Sequence, residues 1–191
     1  PHVYSNDELQ RLLAATNTLK VNNSPIRVET YRTLLLIMYG AGLRVSEAIG
    51  LQLRDVDLPE RLLIIRETKF YKSRYVPIGP RLAAGITVYL ECRRALPMLE
   101  GDEAALLCSR TGHHFWYQDV VTQFQRVRAA AGIGCPPGAM RPPRLHDLRH
   151  TAAVHRVVAW YREGRDVQRL LPQLATYLGH SEIKSTQRYL S

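Results

Sequence analysis

The stretch of residues 52–78, QLRDVDLPERLLIIRETKFYKSRYVPI, decides the fold class because its pattern differs from the rest of the chain. Short runs rich in apolar and β-branched residues are separated by polar, turn-forming residues, which is typical of strands joined by tight connections. The pattern predicts three strands, over residues 52–57, 62–67 and 74–78. Strands joined by such short connections pair antiparallel, so one small antiparallel sheet is expected here.

Helical patterns flank this predicted sheet on both sides. Ser5 and Glu8 have the spacing of a capping box, which predicts a helix that runs to about Thr16. An apolar run over residues 28–39 predicts a buried helix that ends at Gly40 and Gly42, and a short helix is expected over residues 44–51. Further helices are predicted over residues 80–95, 119–131, 145–161, 167–178 and 183–190, with a short extended piece at 106–108 and a loop rich in proline and glycine at 132–143. The expected fold class is therefore mainly α with a small three-stranded antiparallel β-sheet.

The bulk composition points to a globular domain with a nucleic-acid partner. A chain of 191 residues with 46% apolar residues is long enough to bury a core. Lysine and arginine total 26 against 17 acidic residues, which gives a net charge of +9, and most of the basic residues are arginine. Arginine binds phosphate well, so this balance favours nucleic acid, although an arginine-rich proteome would also explain it. The three cysteines have no CxxC spacing, which argues against a disulfide framework and a zinc ribbon.

Five side chains in three short blocks carry the chemistry that the sequence offers. Arg44 lies in GLRVSE (residues 42–47), His146 and Arg149 lie in HDLRH (146–150), and His180 ends LGH (178–180), with Tyr189 nine residues later. Arginines can bind a phosphate bidentately and offset the charge that builds on its oxygens. A histidine can transfer protons near neutral pH, and a tyrosine hydroxyl can attack phosphorus. The set indicates phosphoryl transfer without a metal ion.

The local placement of these residues supports a phosphate site. Glu47 follows Arg44 at i+3 and is expected to orient it. His146 and Arg149 lie three residues apart near the start of a predicted helix, so they share one face. A helix N-terminus offers free backbone amides and a partial positive charge, which suit a phosphate.

The blocks resemble the catalytic domain of the tyrosine recombinases, also called the phage-integrase family, from about Tyr4 to the end of the chain. That family carries an arginine in a GLRxSE-like segment, a lysine in a β-hairpin, HxxR, LGH and a C-terminal tyrosine, and all five elements have counterparts here. The resemblance implies a single catalytic domain over residues 1–191, without the N-terminal domain by which the family clamps DNA. It implies that Tyr189 attacks phosphorus, that Arg44, Arg149 and His180 bind the non-bridging oxygens, that His146 takes the tyrosine proton, and that Lys69 protonates the departing 5′ oxygen.

Two of these assignments have alternatives close by in the sequence. Lys69 and Lys72 both lie in the predicted connection between the second and third strands, and Lys69 better matches the family spacing to the following RxVP segment. Tyr177 is the alternative to Tyr189 as the nucleophile. It precedes the Gly-His pair, however, and is expected to face apolar residues of its own helix.

A zinc site is the competing interpretation of the histidines. His146 and His150, at i and i+4, could chelate Zn²⁺ with His180 as a third ligand. The glutamate base that usually lies between two such histidines is absent, and Arg149 in its place would be repelled by the metal ion. No metal or other cofactor is therefore expected.

The expected function is site-specific DNA recombination of the integrase or transposase type, through a 3′-phosphotyrosyl intermediate. The product polarity and the exchange of two strands come from the family resemblance. Double-stranded DNA and other recombinase subunits, in a tetramer on DNA, are the expected partners, and the bacterial cytoplasm at the nucleoid is the expected location. A type IB topoisomerase-like activity and a non-catalytic DNA-binding module are the alternatives.

Overall fold

The computed structural model describes residues 1–19, 24–68, 72–109 and 112–179, and it confirms the expected fold class. Within these residues, seven α-helices accompany one antiparallel sheet of three strands. The helices are α1 (Asn6–Ala15), α2 (Arg27–Gly40), α3 (Val45–Ile49), α4 (Pro80–Arg94), α5 (Tyr117–Ala130), α6 (Asp147–Arg162) and α7 (Val167–Leu178). The strands are β1 (Val56–Asp57), β2 (Leu62–Thr68) and β3 (Lys72–Pro77). The predicted helix over residues 183–190 lies outside the described residues.

Local signals fix the ends of α1 and α7. The Ser5 hydroxyl accepts a hydrogen bond from the Glu8 backbone N–H (3.1 Å), and the Glu8 carboxylate accepts one from the Ser5 N–H (2.8 Å). The predicted capping box is therefore confirmed. At the other end of the chain, α7 stops at Gly179, whose φ of +69° is the left-handed conformation that ends many helices.

The first strand is much shorter than predicted. Residues 52–57 were expected to be extended, but Leu53–Asp55 form a 3₁₀ turn and only Val56 and Asp57 pair with β2. The reason is the Asp55 carboxylate, which accepts a hydrogen bond from the Gln52 backbone N–H (2.9 Å) and so closes the turn. Gln52 instead forms an isolated bridge with Ala105. The third strand begins at Lys72 and not at Arg74.

The hairpin of β2 and β3 places one arginine on the inner face of the sheet. Leu63 pairs with Val76 and Ile65 pairs with Arg74, so these four side chains share one face. Leu63, Ile65 and Val76 are buried there, whereas Tyr75 on the opposite face is 70% exposed. Arg74 therefore points from β3 toward the interior of the molecule.

Two apolar clusters hold the elements together. The larger cluster draws buried residues from α1, α2, α3, the sheet, α4 and α5, and it includes Leu148 at the start of α6. The smaller cluster lies between α6 and α7, where Ala153 and Val157 meet Leu171 and Leu174. Helix α6 thus joins both clusters, which fixes α7 against the rest of the molecule. No helix among the described residues combines the length and the apolar character that crossing a membrane would require.

Candidate active site

A sharp turn before α3 aims Arg44 toward the interior of the site. Gly42 has a φ of +62°, and a Cβ atom there would lie 2.8 Å from Leu178 Cδ2, so only glycine fits without strain. Arg44 is the N-cap residue of α3. Its backbone N–H donates to Glu47 Oε2 (2.9 Å) and its Nη1 donates to Glu47 Oε1 (2.7 Å), as the sequence predicted. With 37% of its side chain exposed, Arg44 keeps an accessible guanidinium.

Arg149 lies behind Arg44, in the first turn of α6. Its side chain is only 3% exposed. Nη1 donates to the Gly42 carbonyl (2.7 Å) and Nη2 donates to the Leu178 carbonyl (2.6 Å), while Nη1 also lies 3.8 Å from Glu47 Oε2. The two arginines that sequence analysis proposed for one phosphate therefore meet at the same glutamate.

Arg74 is a third arginine of this cluster, and sequence analysis did not predict it as a site residue. Its Nη1 and Nη2 donate to the two carboxylate oxygens of Glu47 (3.0 and 2.9 Å), and its Nε donates to the Tyr177 carbonyl (3.2 Å). The alternation of inward and outward side chains along β3 was the signal from which Arg74 could have been predicted as a site residue. An arginine at an inward position, in register with buried apolar residues, must find a charged partner inside the protein.

Three successive carbonyl groups at the C-terminus of α7 accept hydrogen bonds from these arginines. The Tyr177 carbonyl accepts from Arg74, the Leu178 carbonyl from Arg149, and the Gly179 carbonyl from Arg44 (2.9 Å). The last carbonyls of a helix have no partner within the helix and carry a partial negative charge, so cations are stabilising there. The LGH block therefore meets the GLRVSE block at residue 179 and the HDLRH block at residue 178.

Arginines outnumber carboxylates in this part of the described structure. Three guanidinium groups, those of Arg44, Arg74 and Arg149, lie within 4 Å of the Glu47 carboxylate. Burial opposes ionisation of Glu47, but hydrogen bonds from Arg74 and Arg44 outweigh burial and hold its pKa at about 2. Glu47 is therefore ionised at neutral pH, and this excess of arginines suits a phosphodiester whose negative charge increases as it reacts.

His146 lies at the N-cap of α6, within electrostatic range of both predicted phosphate arginines. Its side chain is exposed at the surface, and partial desolvation together with the positive charges of Arg149, Arg144 and Arg44 lowers its pKa. A lowered pKa favours the neutral imidazole at neutral pH. Neutral imidazole is the form that can accept a proton.

The start of α6 differs from the prediction in one respect. The backbone amides there were expected to be free for a phosphate. The N–H groups of Asp147, Leu148 and Arg149 instead donate to the carbonyls of the preceding turn, Arg144, Leu145 and His146, at 3.0–3.2 Å. A tight turn before the helix therefore uses these donors, and side chains, not amides, form the polar face of the site.

Tyr177 has a structural role in this arrangement. It packs against both apolar clusters, and its hydroxyl donates to the Pro77 carbonyl (3.2 Å). Burial raises its pKa, which makes the phenolate harder to form. The choice of Tyr189 over Tyr177 as the nucleophile stays a prediction.

The remaining predicted residues lie outside the described part of the chain. Lys69, His180 and Tyr189 fall in the ranges 69–71 and 180–191, so their roles stay predictions. Lys72 opens β3. Among the described residues, no three histidine, cysteine or acidic side chains are grouped as metal ligands, and His180 of the alternative zinc set is not among them.

Comparison with known proteins identifies the family. The sequence profile described as "Phage integrase family" matches residues 3–191, and the chain belongs to this family. It is 36% identical over all of its length to y4rB of Sinorhizobium fredii, whose name gives it as a candidate integrase/recombinase, and spans 61% of that protein. It is 32% identical to the tyrosine recombinase XerA of Thermococcus kodakarensis over 99% of the chain and 57% of that protein.

Solved structures show the same fold. The crystal structure of an XerA recombinase superposes with a TM-score of 0.75 at 24% identity, over the whole of this chain and 59% of that one. The Tn1549 transposon integrase, solved in complex with transposon right end DNA, gives a TM-score of 0.73 at 18% identity over 100% of this chain and 61% of that one. The chain thus spans about 60% of the length of each of these four proteins.

Proposed function

We propose that the protein is a site-specific DNA recombinase that cuts and rejoins strands through a covalent 3′-phosphotyrosyl intermediate. The observation that carries this proposal is that Arg44 and Arg149 both contact Glu47. The same two arginines donate to the carbonyls of residues 179 and 178, which directly precede His180 in the sequence. Two cations from separate elements, held rigidly, are what a phosphodiester transition state requires. Family membership and the recombinase relatives support the same conclusion.

The proposed reaction is an in-line displacement at phosphorus. The Tyr189 hydroxyl oxygen forms a bond to phosphorus while the bond from phosphorus to the 5′ oxygen breaks. His146 takes the proton of the tyrosine, and Lys69 gives a proton to the departing 5′ oxygen. Arg44, Arg149 and His180 bind the non-bridging oxygens. Rejoining is the reverse displacement, in which a 5′ hydroxyl attacks the phosphotyrosine.

The partners follow from this reaction. Double-stranded DNA is the proposed substrate, and the net charge of +9 supports it because counterion release favours binding of basic proteins to the phosphate backbone. Exchange of strands between two duplexes requires further recombinase subunits on the DNA, and a tetramer is the proposed assembly. We propose that the protein acts in the bacterial cytoplasm, at the nucleoid.

Capture of the covalent intermediate tests the proposal. The protein is incubated with a pool of nicked duplexes of randomised sequence, so that the short fragment released by cleavage diffuses away and traps the adduct. A protein–DNA adduct that resists detergent is expected, and its sequencing gives the preferred site. The adduct is expected to survive excess EDTA, because the reaction as written uses no metal ion.

Two tyrosine variants provide the control. Tyr189→Phe should bind DNA but give no adduct, whereas Tyr177→Phe should still give one. A phosphotyrosyl peptide that maps to Tyr177, or a parent protein that binds DNA without any adduct, would contradict the assignment; the second result would favour a non-catalytic DNA-binding module.

A further inference from the structure

Arg74 is held by acceptors on two other elements, Glu47 in α3 and Tyr177 in α7. All three of its guanidinium nitrogens donate to protein acceptors: the two oxygens of Glu47 and the Tyr177 carbonyl. Only 13% of its side chain is exposed, against 37% for Arg44. Its guanidinium is therefore committed to other parts of the protein, whereas Arg44 keeps an accessible surface.

We propose that Arg74 is a positioning residue for strand cleavage, which fixes Glu47, and through it Arg44, against the C-terminal turn of α7. This role rests on the proposed function. It adds a third arginine to the reaction, one that acts through its neighbours and does not touch the phosphate.

Glu47 connects Arg74 to Arg44, because its carboxylate accepts hydrogen bonds from both residues. Oε1 of Glu47 accepts from Nη1 of both arginines, and Oε2 accepts from Arg74 Nη2 and from the Arg44 backbone N–H. The fork of Arg74 fixes both the position and the rotation of the carboxylate plane, because two parallel bonds leave it no free torsion. Without that fork the carboxylate can turn, and the Arg44 guanidinium loses the acceptor that orients it.

Arg74 also supports the turn that ends α7. A Cβ atom built at Gly179 would lie 2.7 Å from Arg74 Nη1 and 2.8 Å from its Cζ, so the guanidinium rests directly against the backbone of that residue. Together with the bond to the Tyr177 carbonyl, this contact sets where the backbone stands just before residue 180 in the sequence. Arg74 therefore joins β3, the start of α3 and the end of α7 at one point.

The test compares Arg74 with another buried arginine that lies in the α4 region. Arg93 is 3% exposed and donates from Nη2 to the Leu99 carbonyl (2.6 Å). Arg74→Met, Arg74→Lys and Arg93→Met are prepared in the protein, and thermal unfolding shows how much of each variant is folded. Single-turnover cleavage is then measured at saturating protein on a nicked duplex recovered by covalent capture, and DNA affinity is measured separately.

We expect Arg74→Met to cleave about tenfold or more slowly than the parent, since loss of charge-assisted hydrogen bonds to one group has an effect of this order. DNA affinity should change only slightly. Arg74→Lys should restore part of the rate, because an ammonium keeps the charge but cannot form the fork. Arg93→Met should lower stability and leave the rate of the folded protein unchanged.

The pH profile of stability gives a readout of the contact between Arg74 and Glu47. Glu47 is faced by Arg44 at the start of α3, by Arg74 on β3, and by Arg149 in α6, and it lines a pocket together with Arg54, Asp55 and Arg66. Helix α7 contributes only carbonyl groups to this cluster. Removal of Arg74 takes away two donors, so Glu47 should take up a proton at higher pH than in the parent, and the free energy of unfolding of Arg74→Met should begin to fall at higher pH on the acid side than that of the parent.

The outcomes separate this role from the proposed function. If the parent forms no adduct, the proposed function fails and the role of Arg74 fails with it. If the parent forms an adduct and folded Arg74→Met cleaves at the parent rate, only the positioning role is overturned. A loss of affinity with an unchanged rate at saturation overturns it as well, since Arg74 would then be a DNA-binding residue. Should Arg74→Met not fold, Arg74→Lys takes its place, and a parent-like rate and pH profile in that variant overturns the role.

Discussion

Replacement of Glu47 by glutamine removes the carboxylate that contacts Arg44, Arg74 and Arg149 while keeping the size of the side chain. The pKa of Glu47 falls from 4.5 to about 2 in the folded protein, which corresponds to a contribution of about 3 kcal/mol to the free energy of unfolding at neutral pH. The loss of one partner from a buried ion pair, with the cations left behind, costs about 3–5 kcal/mol. Glu47→Gln should therefore lower the free energy of unfolding by about 3 kcal/mol at pH 7.

The sign of the pH dependence follows from the direction of the shift. Because the folded-state pKa is depressed, the contribution of Glu47 is fully present above pH 4.5 and is lost as the pH falls toward about 2. The glutamine variant never has this contribution. The difference in unfolding free energy between the parent and Glu47→Gln should thus be constant near neutral pH and should narrow steadily below pH 4.5.

Urea unfolding followed by circular dichroism measures this difference across the pH range. Glu60→Gln is the matched control, because Glu60 is exposed at the surface, and its replacement should change stability by at most about 0.5 kcal/mol. Acid weakens any protein, so only the difference between the parent and each variant is informative. A difference near zero at pH 7, or a large difference that stays the same under acid conditions, would refute the proposed role of Glu47 as the ionised centre of the cluster.

Four further measurements test the candidate active site, its affinity for DNA and the turn before α3. Arg149→Ala should lower single-turnover cleavage by about 10²-fold or more at saturating protein, with partial rescue by lysine; an unchanged rate would show that Arg149 is only a binding residue. The acid-side decline of the cleavage rate should have its midpoint below pH 6.5, because the pKa of His146 is lowered from that value; a midpoint above pH 6.5 would exclude His146 as the base. DNA affinity should fall steeply with salt, and a flat response would contradict a basic phosphate-binding surface. Gly42→Ala should lower the free energy of unfolding by about 1–3 kcal/mol, since its φ is +62° and Leu178 occupies the space, whereas Gly134→Ala, with open space around it, should cost far less; equal losses would mean that the turn before α3 is not strained.

Short-range sequence patterns predicted the ends of helices well where the end is set by residues that are close together in the sequence. The capping box at Ser5 gave the start of α1, and the Leu-Gly pair at the end of α7 gave its last residue. The same kind of local bond explains why the first strand is shorter than predicted. The Asp55 carboxylate accepts a hydrogen bond from the Gln52 backbone N–H and so forms a turn where a strand was predicted. The alternation of apolar residues, from which strands are predicted, does not show such a bond.

The candidate site was predicted only in part because its remaining bonds join distant parts of the chain. Arg44 and its orienting partner Glu47 lie three residues apart, so their contact was accessible from spacing alone. The contact between Arg74 and Tyr177 spans 103 residues, and the acceptor is a backbone carbonyl, which any residue type provides. No pattern of side chains marks such an acceptor, and the arginine cluster emerges only when β3, α6 and α7 have been placed.

Three arginines from other elements donate hydrogen bonds to the carbonyls at the end of α7. The conformation of this end of the helix therefore depends on contacts with distant parts of the chain. No basic residue of α7 itself lies in its last turn, so the cations that stabilise its C-terminus come from partners 29, 103 and 135 residues away along the chain. Contacts of such long range form late in folding, because the intervening loops must close first. The last turn of α7 should accordingly be protected from amide hydrogen exchange, and a fragment that ends before α7 would leave each of the three arginines without one of its acceptors.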